Sequence, residues 1–168
     1  NSLKFINDIS DLDFYFYPLH VDPEASTSVL APEWIDQLDL IKKIRINMPA
    51  QKQLLVKEHP AMIGYRDESF YKRISRIPGV SFVKTDIDSF KLISYASLTV
   101  TITGTAAFEA SLLKRNSFQF GKTNFSDLPG IHCFNGDIET LNEQFKLAED
   151  NDKFDENSLI HKLAFNFA

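Results

Sequence analysis

Leu98-Thr99-Val100-Thr101-Ile102-Thr103-Gly104-Thr105-Ala106-Ala107 passes from a β-branched apolar run into a helix-favouring run through one glycine flanked by hydroxyl residues. A strand that enters a helix so directly leaves unpaired backbone N–H groups at the turn, a setting that suits a phosphate or carboxylate. Ala106, Ala107 and Ala110 keep the predicted helix slim enough to lie close to a sheet. Glu109 falls one turn beyond Thr105, on the same face, and can accept a hydrogen bond from a ribose hydroxyl. A plainer reading also stands: Thr103 or Thr105 caps the helix, and Glu109 is solvated.

Working outward, the same strand-to-helix alternation fills the chain. Strand-like runs are predicted at Phe14–Tyr17, Leu54–Lys57, Val80–Val83, Leu98–Ile102, Ser117–Phe120 and Ile131–Phe134. Amphipathic stretches separate them at Glu33–Asn47, Glu68–Arg76, Ser89–Tyr95, Thr105–Lys114 and Ile138–Asp150. Asp67 and Asp88 stand where N-caps are needed, and Pro78-Gly79 closes the second helix. A further helix is expected over Asp155–Phe165, its Leu159, Ile160 and Leu163 needing a surface to cover. Near-continuous apolar strands alternating with helices define an α/β fold, a Rossmann-like doubly wound parallel sheet of about six strands.

The 168 residues suffice for a single well-cored domain, and 43 % apolar with 24 % charged content excludes disorder and collagen-like repeats. No apolar run reaches the roughly 18 residues of a membrane span and no signal peptide is evident, which reads as a cytoplasmic domain. A net charge of −5 disfavours non-specific binding to nucleic acid. The single Cys133 excludes an internal disulfide and a multi-cysteine metal site. The chain starts at Asn1 without methionine, the expectation for a piece of something longer.

In a parallel α/β sheet the ligand crevice lies beyond the carboxyl ends of the strands. The first strand ends in a loop holding His20 and Glu24, and the second in Lys57-Glu58-His59-Pro60. Pro60 restricts the backbone before it, so the His59 imidazole is held at the strand end, where it can donate to a phosphate oxygen. The alternative is a histidine satisfied by Glu58. Neither a G-x-G-x-x-G nor a phosphate-loop lysine motif is present, nor a serine nucleophile elbow. Asp11-Leu12-Asp13 and Asp86-Ile87-Asp88 are short acidic pairs of the kind metal-dependent sugar transfer uses, but the first precedes a strand and Asp88 reads as a cap; no metal is expected.

Four separated motifs, "FYFYPLHVDPEAST", "LLVKEHP", "TVTITGTAAFEASLLKRNSFQFG" and "FSDLPGI", each fall at a strand end. In that order they resemble the carboxyl-terminal half of the capsule polysaccharide biosynthesis proteins, whose members include bacterial Kdo transferases that use CMP-Kdo. The likeness runs from Phe14 to Ile131. It implies a GT-B architecture of two Rossmann-like domains facing a cleft, with this chain as the nucleotide-sugar-binding half and the amino-terminal acceptor domain outside it. His59-Pro60 is similar to the pair that bacterial sialyltransferases set against CMP. Carried over, the resemblance implies that Lys57, His59, Pro60, Thr103, Gly104 and Thr105 hold the donor phosphate. Glu109 would lie near the nucleotide, with His20 and Glu24 facing the cleft as catalytic candidates. The implied partners are a nucleotide sugar and a saccharide or glycolipid acceptor, at the inner face of the membrane, with no metal or other cofactor. Two other readings stay open: a non-catalytic nucleotide-binding or regulatory module, and a nucleotide-sugar epimerase of the same architecture.

Overall fold

The computed structural model describes residues 5–22, 29–151 and 154. Its strands are β1 (Phe5–Ile6), β2 (Phe14–Pro18), β3 (Gln53–Lys57), β4 (Val80–Val83), β5 (Leu98–Thr101), β6 (Ser117–Gln119) and β7 (Ile131–Cys133). The helices are α1 (Gln37–Asn47), α2 (Glu68–Ile74), α3 (Ser89–Tyr95), α4 (Ala106–Leu112) and α5 (Leu141–Glu149). All strand pairs are parallel, in the order β1-β4-β3-β2-β5-β6-β7.

Strand β2 shows why the sheet is covered on both sides. Successive side chains on a strand point to opposite faces, and Phe14, Tyr15, Phe16 and Tyr17 are all fully buried. Phe14 and Phe16 enter a cluster with Leu92 and Ile93 of α3 and Ala106 and Ala110 of α4. Tyr15 and Tyr17 enter the opposite cluster, with Leu40, Ile41 and Ile44 of α1, Ile74 of α2 and Phe145 of α5. One layer is therefore α1, α2 and α5, and the other is α3 and α4. The alanines of α4 let it lie close to the sheet, as the sequence predicts: Ala107 and Ala110 have no exposed surface.

Six predicted strands are present, and a seventh is added. Phe5–Ile6 is too short to show a period; it forms the edge of the sheet, with Phe5 45 % exposed beside Phe82 of β4. The stretch expected as one helix over Glu33–Asn47 is divided into a 3-10 turn at Pro32–Trp34 and α1. Asp36 divides it, because its carboxylate accepts the Asp39 N–H and starts a new helix. Asp67 and Asp88 cap α2 and α3 through Ser69 and Phe90 N–H groups. The helix expected over Asp155–Phe165 lies outside the described residues. Among those described, no helix is long and apolar enough to cross a membrane.

At the amino-terminal end of the strands, Lys52 draws β2, β5 and α5 together. Its ammonium meets Asp13 at 2.6 Å, Glu149 at 2.6 Å and the Ser97 hydroxyl at 3.0 Å, while Tyr15 donates to Glu149 at 2.8 Å. Asp13, the second acid of the Asp11-Leu12-Asp13 pair, is thereby occupied at the edge opposite the strand ends. Burial opposes ionisation of Asp13, but hydrogen bonds from Lys52 and Ser97 outweigh it and hold its carboxyl below the ordinary range. The stabilisation from Asp13 is thus complete above the ordinary aspartate pKa and is lost as pH falls through the lowered value. Lys52→Met is expected to cost about 1–3 kcal/mol, less than a fully buried pair because Asp13 is half exposed. Urea unfolding at pH 7 and pH 3 checks it: the variant should lose less stability on acidification than the wild type.

Candidate functional site

The chain leaves β2 in one direction through β3 and β4, and in the other through β5, β6 and β7. The order reverses between β2 and β5, and at such a switch point the outgoing connections part and open a crevice beyond the strand ends. A cavity of about 670 Å³ lies there, lined by the residues that follow β2, β3 and β5 and by the start of α3 and α4. His20, His59, Pro60, Thr103, Gly104, Thr105 and Glu109 all line it. Six of these seven come from turns rather than from regular elements.

His59 reaches the rim because Pro60 begins a 3-10 turn, Pro60–Met62, that His59 itself caps. The Ala61 N–H donates to His59 Nδ1 at 3.2 Å, which leaves the proton of the neutral ring on Nε2. The exposed ring therefore offers an N–H donor. Its own backbone N–H donates to Glu58 at 2.7 Å, so the alternative read from sequence holds for the main chain and not for the ring.

His20 has the opposite tautomer. Its Nε2 accepts the Ile102 N–H at 3.2 Å and lies 2.9 Å from the Thr101 hydroxyl. Only 5 % exposed, the ring ties the β2 turn to the β5 turn, with Nε2 committed to backbone support. Thr101 Oγ1 in turn accepts the Gly104 N–H at 3.2 Å. One of the amides expected to face a ligand is thus used inside the turn. Thr105 stands at the N-cap of α4 but does not cap it: its hydroxyl donates to Glu109 at 3.2 Å, one turn on, as the helical spacing predicts.

Lys57 is placed differently from the expectation. Its stem lies beneath the rim and its ammonium donates to the Ile87 carbonyl at 2.5 Å and the Ser89 hydroxyl at 3.0 Å, outside the cavity lining. Burial pulls its pKa down, and Asp88, Asp86 and Glu109 oppose that pull. The reason is length and register: Lys57 is the last residue of β3, so its side chain runs along the sheet face toward α3. Glu24 lies outside the described residues.

The sequence reading missed Asp88, Ser89 and Phe90 as lining residues. The sequence marks Asp88 as a helix cap, which it is, but the same turn borders the cavity. It also missed Arg66, whose guanidinium bonds Glu58 and the His20 carbonyl. No local pattern marks that arginine. The lining, among the described residues, carries two histidines and two carboxylates and no lysine or arginine.

Residues 12–156 match the family described as capsule polysaccharide biosynthesis protein. No curated protein matches the chain by sequence. Among solved structures it is similar to KpsC of Thermosulfurimonas dismutans, a β-Kdo 2,7 transferase (TM-score 0.55, 18 % identity, 80 % of this chain and 45 % of that one). It is similar also to the β-Kdo 2,4 transferase KpsC of the same organism (0.59, 16 %, 87 % and 47 %). The UDP-GlcNAc 2-epimerase of Methanocaldococcus jannaschii matches as well (0.62, 13 %, 91 % and 46 %). At these identities the likeness is one of fold, and the chain spans less than half the length of each of the three.

Gly104 is the position where this turn admits no side chain. A Cβ there would meet Thr101 Oγ1 at 2.7 Å and His20 Cε1 at 3.0 Å. Gly104→Ala is therefore expected to displace His20 from Ile102 at a cost of about 1–3 kcal/mol. The unfolding midpoint measures the cost, and loss of hydrogen-exchange protection at the Ile102 amide reports the displacement.

Proposed function

The chain belongs to the capsule polysaccharide biosynthesis protein family, and on that premise we propose that it is the donor-binding unit of a glycosyltransferase that takes its sugar from CMP-Kdo. The observation that carries this reading is the cavity at the β2/β5 switch, with the His59 Nε2–H on one wall and the Thr103–Thr105 turn on the other. A nucleotide laid across this crevice has its phosphate between the two.

The charge of the lining favours a monophosphate donor. With Asp88 and Glu109 present and, among the described residues, no lysine or arginine, the lining is poor in fixed positive charge. The sequence 23–28, Pro-Glu-Ala-Ser-Thr-Ser, contains no basic residue. One phosphate carrying a single charge can be met by neutral N–H donors; two adjacent phosphates call for cations. CMP sugars carry the first kind of linkage and UDP sugars the second.

As the glycosidic bond breaks, charge develops on the departing phosphate. His59 Nε2–H and the Thr105 and Ala106 amides donate to it, in a position fixed before reaction, so stabilisation costs no reorganisation. Glu109 is placed to accept from a ribose hydroxyl, with Thr105 holding its carboxylate. His20 acts on the turn, through Ile102 and Thr101, instead of on the sugar. No metal or other cofactor is needed in this scheme. A second domain supplies the saccharide or glycolipid acceptor and the remaining catalytic groups, and the whole works at the cytoplasmic face of the membrane.

Calorimetric titration of the chain with CMP tests this. Binding is expected, weaker for UDP, and His59→Ala should lower the CMP affinity about tenfold, the effect of losing one hydrogen bond to a charged group. A folded chain that binds no CMP contradicts the proposal.

A further inference from the structure

Behind the cavity wall lies a buried ion pair that lines no part of it. Glu58 is 7 % exposed and Arg66 has 5 % of its side chain exposed. Glu58 follows Lys57 at the end of β3. Arg66 lies after the His59-Pro60 turn, just before α2. Its Nε donates to Glu58 at 2.9 Å, and one of its terminal nitrogens donates to the His20 carbonyl at 2.7 Å. The other stands 4.0 Å from Asp22, and the guanidinium lies 4.8 Å over the Phe70 ring. Glu58 is fully engaged: besides Arg66 it accepts the Tyr71 hydroxyl at 2.7 Å and the His59 N–H at 2.7 Å.

These bonds run between two turns that, among the described residues, no main-chain hydrogen bond joins beyond the end of the ladder. The last main-chain bond between β2 and β3 on this side is Leu19 N–H to the Lys57 carbonyl, at 2.8 Å. Beyond it, the His20 turn and the His59 turn separate, and Arg66 bridges them: directly to the His20 carbonyl, and through Glu58 to the His59 amide. The guanidinium suits this because its fork reaches two acceptors in fixed directions, which an ammonium cannot do.

We propose that Arg66 is a positioning residue: it sets the separation of the His20 and His59 turns, and thereby the direction of the His59 Nε2–H into the cavity. Net stability is a poor explanation for such a pair, since a buried ion pair gains little over apolar groups of the same volume. Its acceptors, moreover, belong to the two turns that carry the rim histidines. Gln37 supports the same point from α1, accepting the His20 N–H at 2.8 Å and donating to the His20 carbonyl at 3.1 Å. The carbonyl is thus held from two sides, and among the described residues it is Arg66, through Glu58, that extends the link to His59. The ligand consequence rests on the donor-binding reading above; the positioning itself does not.

The test separates charge neutralisation from bridging. Arg66→Met alone strands the Glu58 carboxylate and is expected to unfold more readily. Arg66→Met with Glu58→Gln removes both charges, keeps an oxygen for the His59 N–H and leaves Gln37 on the His20 carbonyl, and should fold, but has no side chain that links that carbonyl to the His59 turn. In the full chain the double variant is expected to bind CMP about five- to tenfold more weakly than wild type. The His59 ring, followed by ring-nitrogen NMR, should pass from one tautomer to a mixture. Wild-type affinity and an unchanged ring spectrum in the folded double variant would overturn the proposal, since Arg66 would then serve only to neutralise Glu58. If wild-type chain fails to bind CMP, the donor-binding reading falls, and the ring spectrum still decides the positioning role.

Discussion

A strand with no polar face determines most of this structure. Phe14, Tyr15, Phe16 and Tyr17 cannot place an aromatic ring on either side of β2 without a helix layer to cover it. At about 25 cal/mol per Å2 and 150–250 Å2 for each ring, leaving either side open would forfeit several kcal/mol. The chain must therefore wind both ways from β2, and where it reverses a crevice opens. The site is a consequence of the need to bury both faces of one strand.

The two ends of that strand are treated differently. At its start, Lys52, Asp13, Glu149 and the hydroxyls of Tyr15 and Ser97 satisfy one another and close the edge. At its end, the polar groups are arranged in turns whose bonds run sideways, leaving a cavity in front of them. His20 is spent on Ile102 and Thr101, Glu58 on His59 and Arg66, and Gly104 on Thr101. What remains directed outward is an imidazole N–H and the beginning of α4. Such a division, with support groups buried and donor groups exposed, holds donors in place before a ligand arrives.

The fold was legible because its signals are local. Apolar runs, caps at Asp67 and Asp88 and the glycine at 104 each lie within a few residues of what they decide. β1 escaped because two residues carry no period, and the break before α1 because Asp36 acts through a single hydrogen bond. The rim was legible in part: the turn at Thr103–Thr105 and the His59-Pro60 pair face the cavity as read. The departures have a common cause. Lys57 turns under α3, His20 is enclosed by β5, and Arg66 bridges two turns from 46 residues beyond His20. Each depends on which strands are neighbours, and neighbour order is set by the β2/β5 switch rather than by anything adjacent in the chain.

Chemical-shift mapping of the labelled chain during titration with CMP addresses the assignment of the cavity itself. The account requires that perturbed amides gather at His59–Ala61, at the Asp88–Phe90 turn and at Thr101–Ala106, with the Lys52 cluster at the far edge unaffected. Saturable shifts centred anywhere else, or equal shifts with UDP, would contradict it.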